Sequence, residues 1–194
     1  ADLGLALSRE VQGALREDRD PLPKGSGTDL ALRGAALRNG RARHGDLHGA
    51  LARIERLSQQ WRGRLGVRAQ NLEPDPYAIG LLLALAYPDR VARMREGQPL
   101  RYRLSGGRRV RLGEDDPLQG EPWLAVAHLG AGTDEGRIFL AAPVRPQDLE
   151  PFAHTVEVVA WDERAGVLLV QRERRVGEVV LSVEPLEQIL HEER

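Results

Sequence analysis

The residues with the clearest capacity for chemistry are arginines. Lys24 is the sole lysine, so 27 of the 28 basic residues are arginine. Their distribution is uneven. Nine arginines fall between Arg33 and Arg68 against only Asp46 and Glu55, and five fall between Arg101 and Arg111 with no acid among them. A guanidinium group stays charged and can bind phosphate through two parallel N–H donors. Arg101, Arg103, Arg109 and Arg111 alternate with Tyr102, Leu104, Val110 and Leu112 around Ser105-Gly106-Gly107. That pattern predicts a hairpin with one apolar and one basic face, which could follow a nucleic-acid backbone. Arg53 and Arg56 on a basic helix, and Arg172 and Arg174 beside Arg175, extend the candidate set. The plainer alternative is a set of solvated charged faces, since a chain rich in alanine, leucine and arginine fits a GC-rich genome. Trp61, Trp123 and Trp161 would offer stacking platforms, but each sits in an apolar pattern and reads as core. With aromatics at 4%, extensive base stacking is not expected.

Other chemistry is hard to find. Without cysteine, disulfides, thiol catalysis and cysteine-ligated metal are excluded. His44 and His48 have the i, i+4 spacing of a helical metal pair, but Gly45 lies between them and no third ligand follows, so they read as surface histidines. His128, His154 and His191 are isolated. Asp115-Asp116 precedes Pro117 and reads as a solvated loop. No serine sits in a Gly-x-Ser-x-Gly elbow. Gly25-Ser26-Gly27-Thr28 lacks the ending of a phosphate loop, and Gly130-Ala131-Gly132 joins two strands rather than a strand and a helix. No catalytic residue, cofactor site or metal site is therefore expected.

The elements that must position the arginines follow from length and periodicity. A chain of 194 residues with 41% hydrophobic and 29% charged positions makes one large domain or two small ones, and a net charge of −1 hides the basic patches. The longest apolar run, near Ile79–Ala86, is about half of the roughly 20 residues a bilayer span needs, so no membrane segment is expected. Ala1 to Glu10 lacks the pattern of a signal peptide. A start at Ala1 and a single methionine, Met94, read as a piece of a longer polypeptide. The lack of cysteine fits a reducing cytoplasm.

The first half reads helical. An apolar face runs from Leu3 to Leu15, the loop Asp20–Gly27 interrupts, and Thr28 or Asp29 caps a helix through Leu37 that Asn39-Gly40 stops. Leu47, Ala50, Leu51, Ile54, Leu57, Trp61 and Leu65 form the clearest stripe of 3.6-residue period. After Pro74-Asp75-Pro76, Tyr77–Ala86 is apolar nearly all round and predicts a buried helix, followed by a short one over Asp89–Arg95. Beyond Gly97 the period becomes 2. The 101–112 hairpin is followed by strand pairs at Trp123–Leu129 with Arg137–Ala142 and at Thr155–Trp161 with Val167–Arg172, then a last strand over Glu178–Val183. Short strands at this spacing predict a small closed barrel. The fold class is α+β, with residues 1–97 a helical bundle and residues 98–194 a barrel.

Several stretches resemble the HrpB family of bacterial DEAH-box-type ATP-dependent helicases. They are Ala78–Ala92 (AIGLLLALAYPDRVA), Arg101–Gly107 (RYRLSGG), Glu121–Ala127 (EPWLAVA), Arg137–Pro143 (RIFLAAP) and Trp161–Gly166 (WDERAG), with Glu17–Leu22 (EDRDPL) before them. They keep a single order over nearly the whole chain. The resemblance implies a fragment beyond the motor domains: a ratchet-like, helicase-associated helical bundle and an OB-like antiparallel β-barrel, both lining a channel for single-stranded RNA, with DNA as the lesser alternative. It implies further that the motor domains of the same chain are its partners and hold ATP and Mg2+. No motor motif occurs here, so no ATPase residue is carried over and this piece should have no hydrolytic activity of its own. A docking module packed on the motors or on another protein is the competing expectation.

Overall fold

The structure is a computed structural model and describes residues 27–38, 47–68, 75–130 and 135–190. The predicted helix over Leu3–Leu15, most of the loop after it and the stop at Asn39-Gly40 lie outside these residues. Helix α1 (Leu30–Arg38) begins where the Asp29 carboxylate accepts the N–H groups of Ala31 (2.7 Å) and Leu32 (3.3 Å), so Asp29 is the N-cap. Burial raises the Asp29 pKa, while these two N–H donors oppose the rise. Thr28 instead donates its amide and its hydroxyl to the Asp116 carboxylate, each at 3.0 Å. Asp116 is thus a buried latch between the α1 entry and a distant loop, not part of a solvated loop.

Helix α2 (Leu47–Leu65) follows the predicted stripe. Helix α3 (Pro76–Ala86) starts at Asp75, whose carboxylate accepts the Tyr77 N–H, with Pro76 in its first turn. α3 is buried on one face only: Gly80, Leu83 and Ala84 are covered, whereas Leu82 and Leu85 are 48% and 56% exposed. The covered face packs on the barrel wall. Gly80 permits the approach, because a Cβ there would lie 1.8 Å from the Pro143 carbonyl oxygen. Of the bundle expected over residues 1–97, the described residues hold these three helices, with α1 packed on α3 and on the barrel.

Five strands close a barrel: β1 (Val91–Arg95), β2 (Gln98–Leu104), β3 (Arg109–Arg111), β4 (Trp123–Leu129) and β5 (Gly136–Pro143). The order is β1-β2-β3-β5-β4, with β4 paired back to β1. The predicted helix over Asp89–Arg95 is instead a 3-10 turn, Pro88–Arg90, and then β1. Val91 and Ala92, fully buried, pair with β4 and with β2 respectively, and this tertiary pairing overrides local preference. Gly97 lies in the β1–β2 turn with φ +66°. β3 and β5 run parallel, so the barrel is mixed rather than antiparallel. Its interior is filled by Tyr102, Leu104, Val110, Leu112, Leu124, Val126 and Ile138. A second apolar cluster, with Leu30, Leu83, Ala84, Trp123 and Leu140, joins the helices to the outer wall.

The remaining strands do not join the barrel. β6 (His154–Asp162), β7 (Val167–Val176) and β8 (Val179–Leu190) form a separate antiparallel sheet of order β6-β7-β8. Once β4 pairs with β1 no open edge remains to receive them. The near end of this sheet is clipped to the barrel: Val176 and Val179 are buried, and the Glu178 N–H donates to the Ser105 carbonyl at 2.8 Å.

Candidate nucleic-acid interface

Period-2 alternation builds the basic face as predicted. Tyr102, Leu104 and Val110 point inward at 0–3% exposure, as does Leu112 beyond β3, while Arg101, Arg103, Arg109 and Arg111 point out. Tyr102 anchors β2 between its two arginines. Its hydroxyl donates toward the carbonyls of Glu121 (3.0 Å) and Leu118 (3.3 Å), and burial pushes its pKa up. The hairpin turns at Gly107, whose φ of +85° favours glycine.

The register sets like charges against each other. Arg101 lies opposite Arg111, and Arg103 opposite Arg109. Like charges directly opposite on one sheet face are destabilising unless an anion lies between them. The first pair has one: Glu135 places one carboxylate oxygen 3.9 Å from each Nε. Arg103 meets Glu178 at 3.3 Å. Arg109 has no ion pair among the described residues.

The parallel β3–β5 pairing adds a residue that local pattern could not place. Arg137 stands beside Arg111 in register, so Arg101, Arg111 and Arg137 form one outward row across three strands. Farther along β5, Arg137 lies 5.8 Å from the Phe139 ring centroid. Phe139 stacks on His128 of β4, with centroids 5.5 Å apart and planes inclined by 28°. Burial, and after it the nearby Arg90, hold the His128 pKa below its ordinary value. Arg108 donates to the Gly130 carbonyl at 2.9 Å and braces this end of the hairpin. The alternation of β5 was legible, but its neighbour β3 was not.

The other predicted arginines belong elsewhere. Arg53 and Arg56 are on α2, where Arg56 is exposed. Arg172 and Arg174 are on β7, each within reach of acids. Of the tryptophans read as core, only Trp123 is buried; Trp61 and Trp161 are 38% and 51% exposed. His44 lies outside the described residues. Among those residues, no group of three histidine or acidic side chains could hold a metal ion, and no helix is long and apolar enough to cross a membrane.

Residues 152–186, which include β6, β7 and the start of β8, match a family model described as the connector region of the ATP-dependent RNA helicase HrpB. The chain is 35% identical over 138 residues to the ATP-dependent RNA helicase HrpB of Escherichia coli K12, an alignment covering 68% of this chain and 17% of that protein. Two crystal structures from E. coli are similar. The DExH-box NTPase HrpB superposes with a TM-score of 0.59 at 30% identity, covering 84% of this chain and 22% of that one. The DEAH/RHA helicase HrpB superposes with a TM-score of 0.62 at 26% identity, covering 93% and 21%. The fold and these likenesses define a region of a HrpB-type protein. The chain belongs to the HrpB family and spans about a fifth of the length of the relatives it matches.

Proposed function

We propose that this chain is a non-catalytic accessory region of an ATP-dependent RNA helicase, and that the β2–β3 face holds the phosphate backbone of single-stranded RNA. The observation carrying this reading is the cross-strand opposition of Arg101 to Arg111 and of Arg103 to Arg109. A face built of opposed cations gains most from an anionic ligand. The closed five-stranded barrel supports an OB-like reading, in which the second and third strands commonly bind oligonucleotides. ATP and Mg2+ belong, in this reading, to motor domains of the parent protein, which works in the cytoplasm. Fluorescence anisotropy with single-stranded RNA over a salt series tests the proposal, with single-stranded DNA alongside. Contact with three or four phosphates gives a slope of about −2 to −3 in log affinity against log salt; absence of binding at low salt refutes it.

A second reading is docking onto the motor domains. It is favoured by apolar side chains left open on two helices, Leu57, Trp61 and Leu65 on α2 and Leu82 and Leu85 on α3. Docking through these residues would be insensitive to charge reversal on β2 and β3.

A further inference from the structure

The arginine row ends at an aromatic pair that backbone binding does not use. Arg101, Arg111 and Arg137 run outward in register across β2, β3 and β5. Two residues along β5 the next outward side chain is Phe139, partly exposed, between the buried Ile138 and Leu140. Its ring lies over Gly130, where a Cβ would come within 3.0 Å of it. The ring also stacks on the His128 imidazole at 5.5 Å. A phenyl ring on a barrel's outer wall gains little from water, and here it packs against His128 and Gly130 beside a row of guanidinium groups.

We propose that the His128–Phe139 stack is a platform for one nucleobase of a single strand whose phosphates lie on the Arg101–Arg111–Arg137 row. This rests on the nucleic-acid reading above and adds the base-binding position to it. Base–aromatic stacking needs a flat, oriented, accessible ring and tolerates any base. The stack supplies the ring, and Arg137 beside it supplies a cation for the adjoining phosphate. The lowered His128 pKa fits this role, since a neutral imidazole stacks on Phe139 without charge repulsion from Arg90. One platform also agrees with the low aromatic content of the chain.

The test compares a fluorescein-labelled oligouridine with an abasic strand of equal length, on the full chain and on Phe139→Ala and Phe139→Leu. Phe139→Leu keeps apolar contact with Gly130 and guards against misfolding, which circular dichroism checks. A single stacked base contributes about 5- to 150-fold in affinity. Both variants should lose that factor for oligouridine and bind the abasic strand as the parent chain does. A 2-aminopurine placed in the strand should be quenched on binding to the parent chain and not to the variants. Equal binding of both strands by the parent chain, or parallel weakening of both by the variants, overturns the platform and leaves the arginine face standing. Failure of the parent chain to bind either strand overturns the nucleic-acid reading itself, and the platform with it.

Discussion

Arginine lines both β-structures of this chain, and the two carry it differently. In the β6–β8 sheet the register sets Arg172 opposite Glu157 on one side and Glu184 on the other, with ion pairs of 3.3 and 3.6 Å. Arg174 lies opposite Thr155, bonds its hydroxyl at 3.1 Å and meets Glu150 at 2.7 Å. Arg175 meets Glu173 of its own strand. In the barrel the register sets arginine against arginine, and Glu135 is shared between two of them. The same residue type is therefore matched within the fold in one region and in excess in the other. Pairing, not composition, decides which arginines remain available to a ligand.

Three changes break or sharpen that contrast. Reversing the barrel face with Arg101→Glu, Arg103→Glu, Arg109→Glu and Arg111→Glu should weaken single-stranded RNA binding by at least about 100-fold in an anisotropy titration at low salt. Survival of binding would remove the hairpin from the interface. Glu135→Gln should act in the opposite direction. It deletes the carboxylate between Arg101 and Arg111 and should tighten RNA binding about two- to fivefold, the range of an exposed ion pair; unchanged affinity would mean that Glu135 does not compete with phosphate. The smallest effect is expected from Arg172→Gln with Arg174→Gln. Binding should stay within about twofold and thermal stability should fall by no more than about 1 kcal/mol per pair, because these bridges are solvent-exposed. A loss comparable to that of the barrel face would erase the distinction.

Much of the site was legible because alternation is a local property. Tyr102, Leu104 and Val110 had to be buried for β2 and β3 to pack, which turned their arginine neighbours outward. The Asp29 cap was legible as one of two neighbouring candidates, Thr28 being the other, because it acts within three residues, whereas the Asp75 cap was read only as a chain break. What failed was non-local. The β3–β5 parallel pairing brings Arg137 beside Arg111 from 26 positions away, and nothing near either residue signals it. Membership of the barrel also depends on closure, a property of five strands together, so β6, β7 and β8 could not be told apart from barrel strands by pattern. The stripe on α2 shows a further limit. Periodicity identified Leu57, Trp61 and Leu65 as one apolar face, yet all three are 36–61% exposed. A stripe reports which face is apolar, not whether its cover lies in the same chain.

Closure of the barrel has one more consequence. β1 hydrogen-bonds to β2 and β4, and β3 to β2 and β5, so among the described residues every barrel strand has a partner strand on each side and much of its backbone is already paired. A ligand of the barrel must be recognised largely through side chains, and its specificity can change by substitution without disturbing the hydrogen-bonded frame. The β6–β8 sheet is the opposite kind of object. Among the described residues, its outer strands, β6 and β8, each keep one unpaired edge, the kind of surface to which another extended chain can add a strand. Charged side chains and Pro185 in β8 limit that addition. Evolution of the barrel can therefore alter its ligand, whereas evolution of the sheet's edges alters what else it can join.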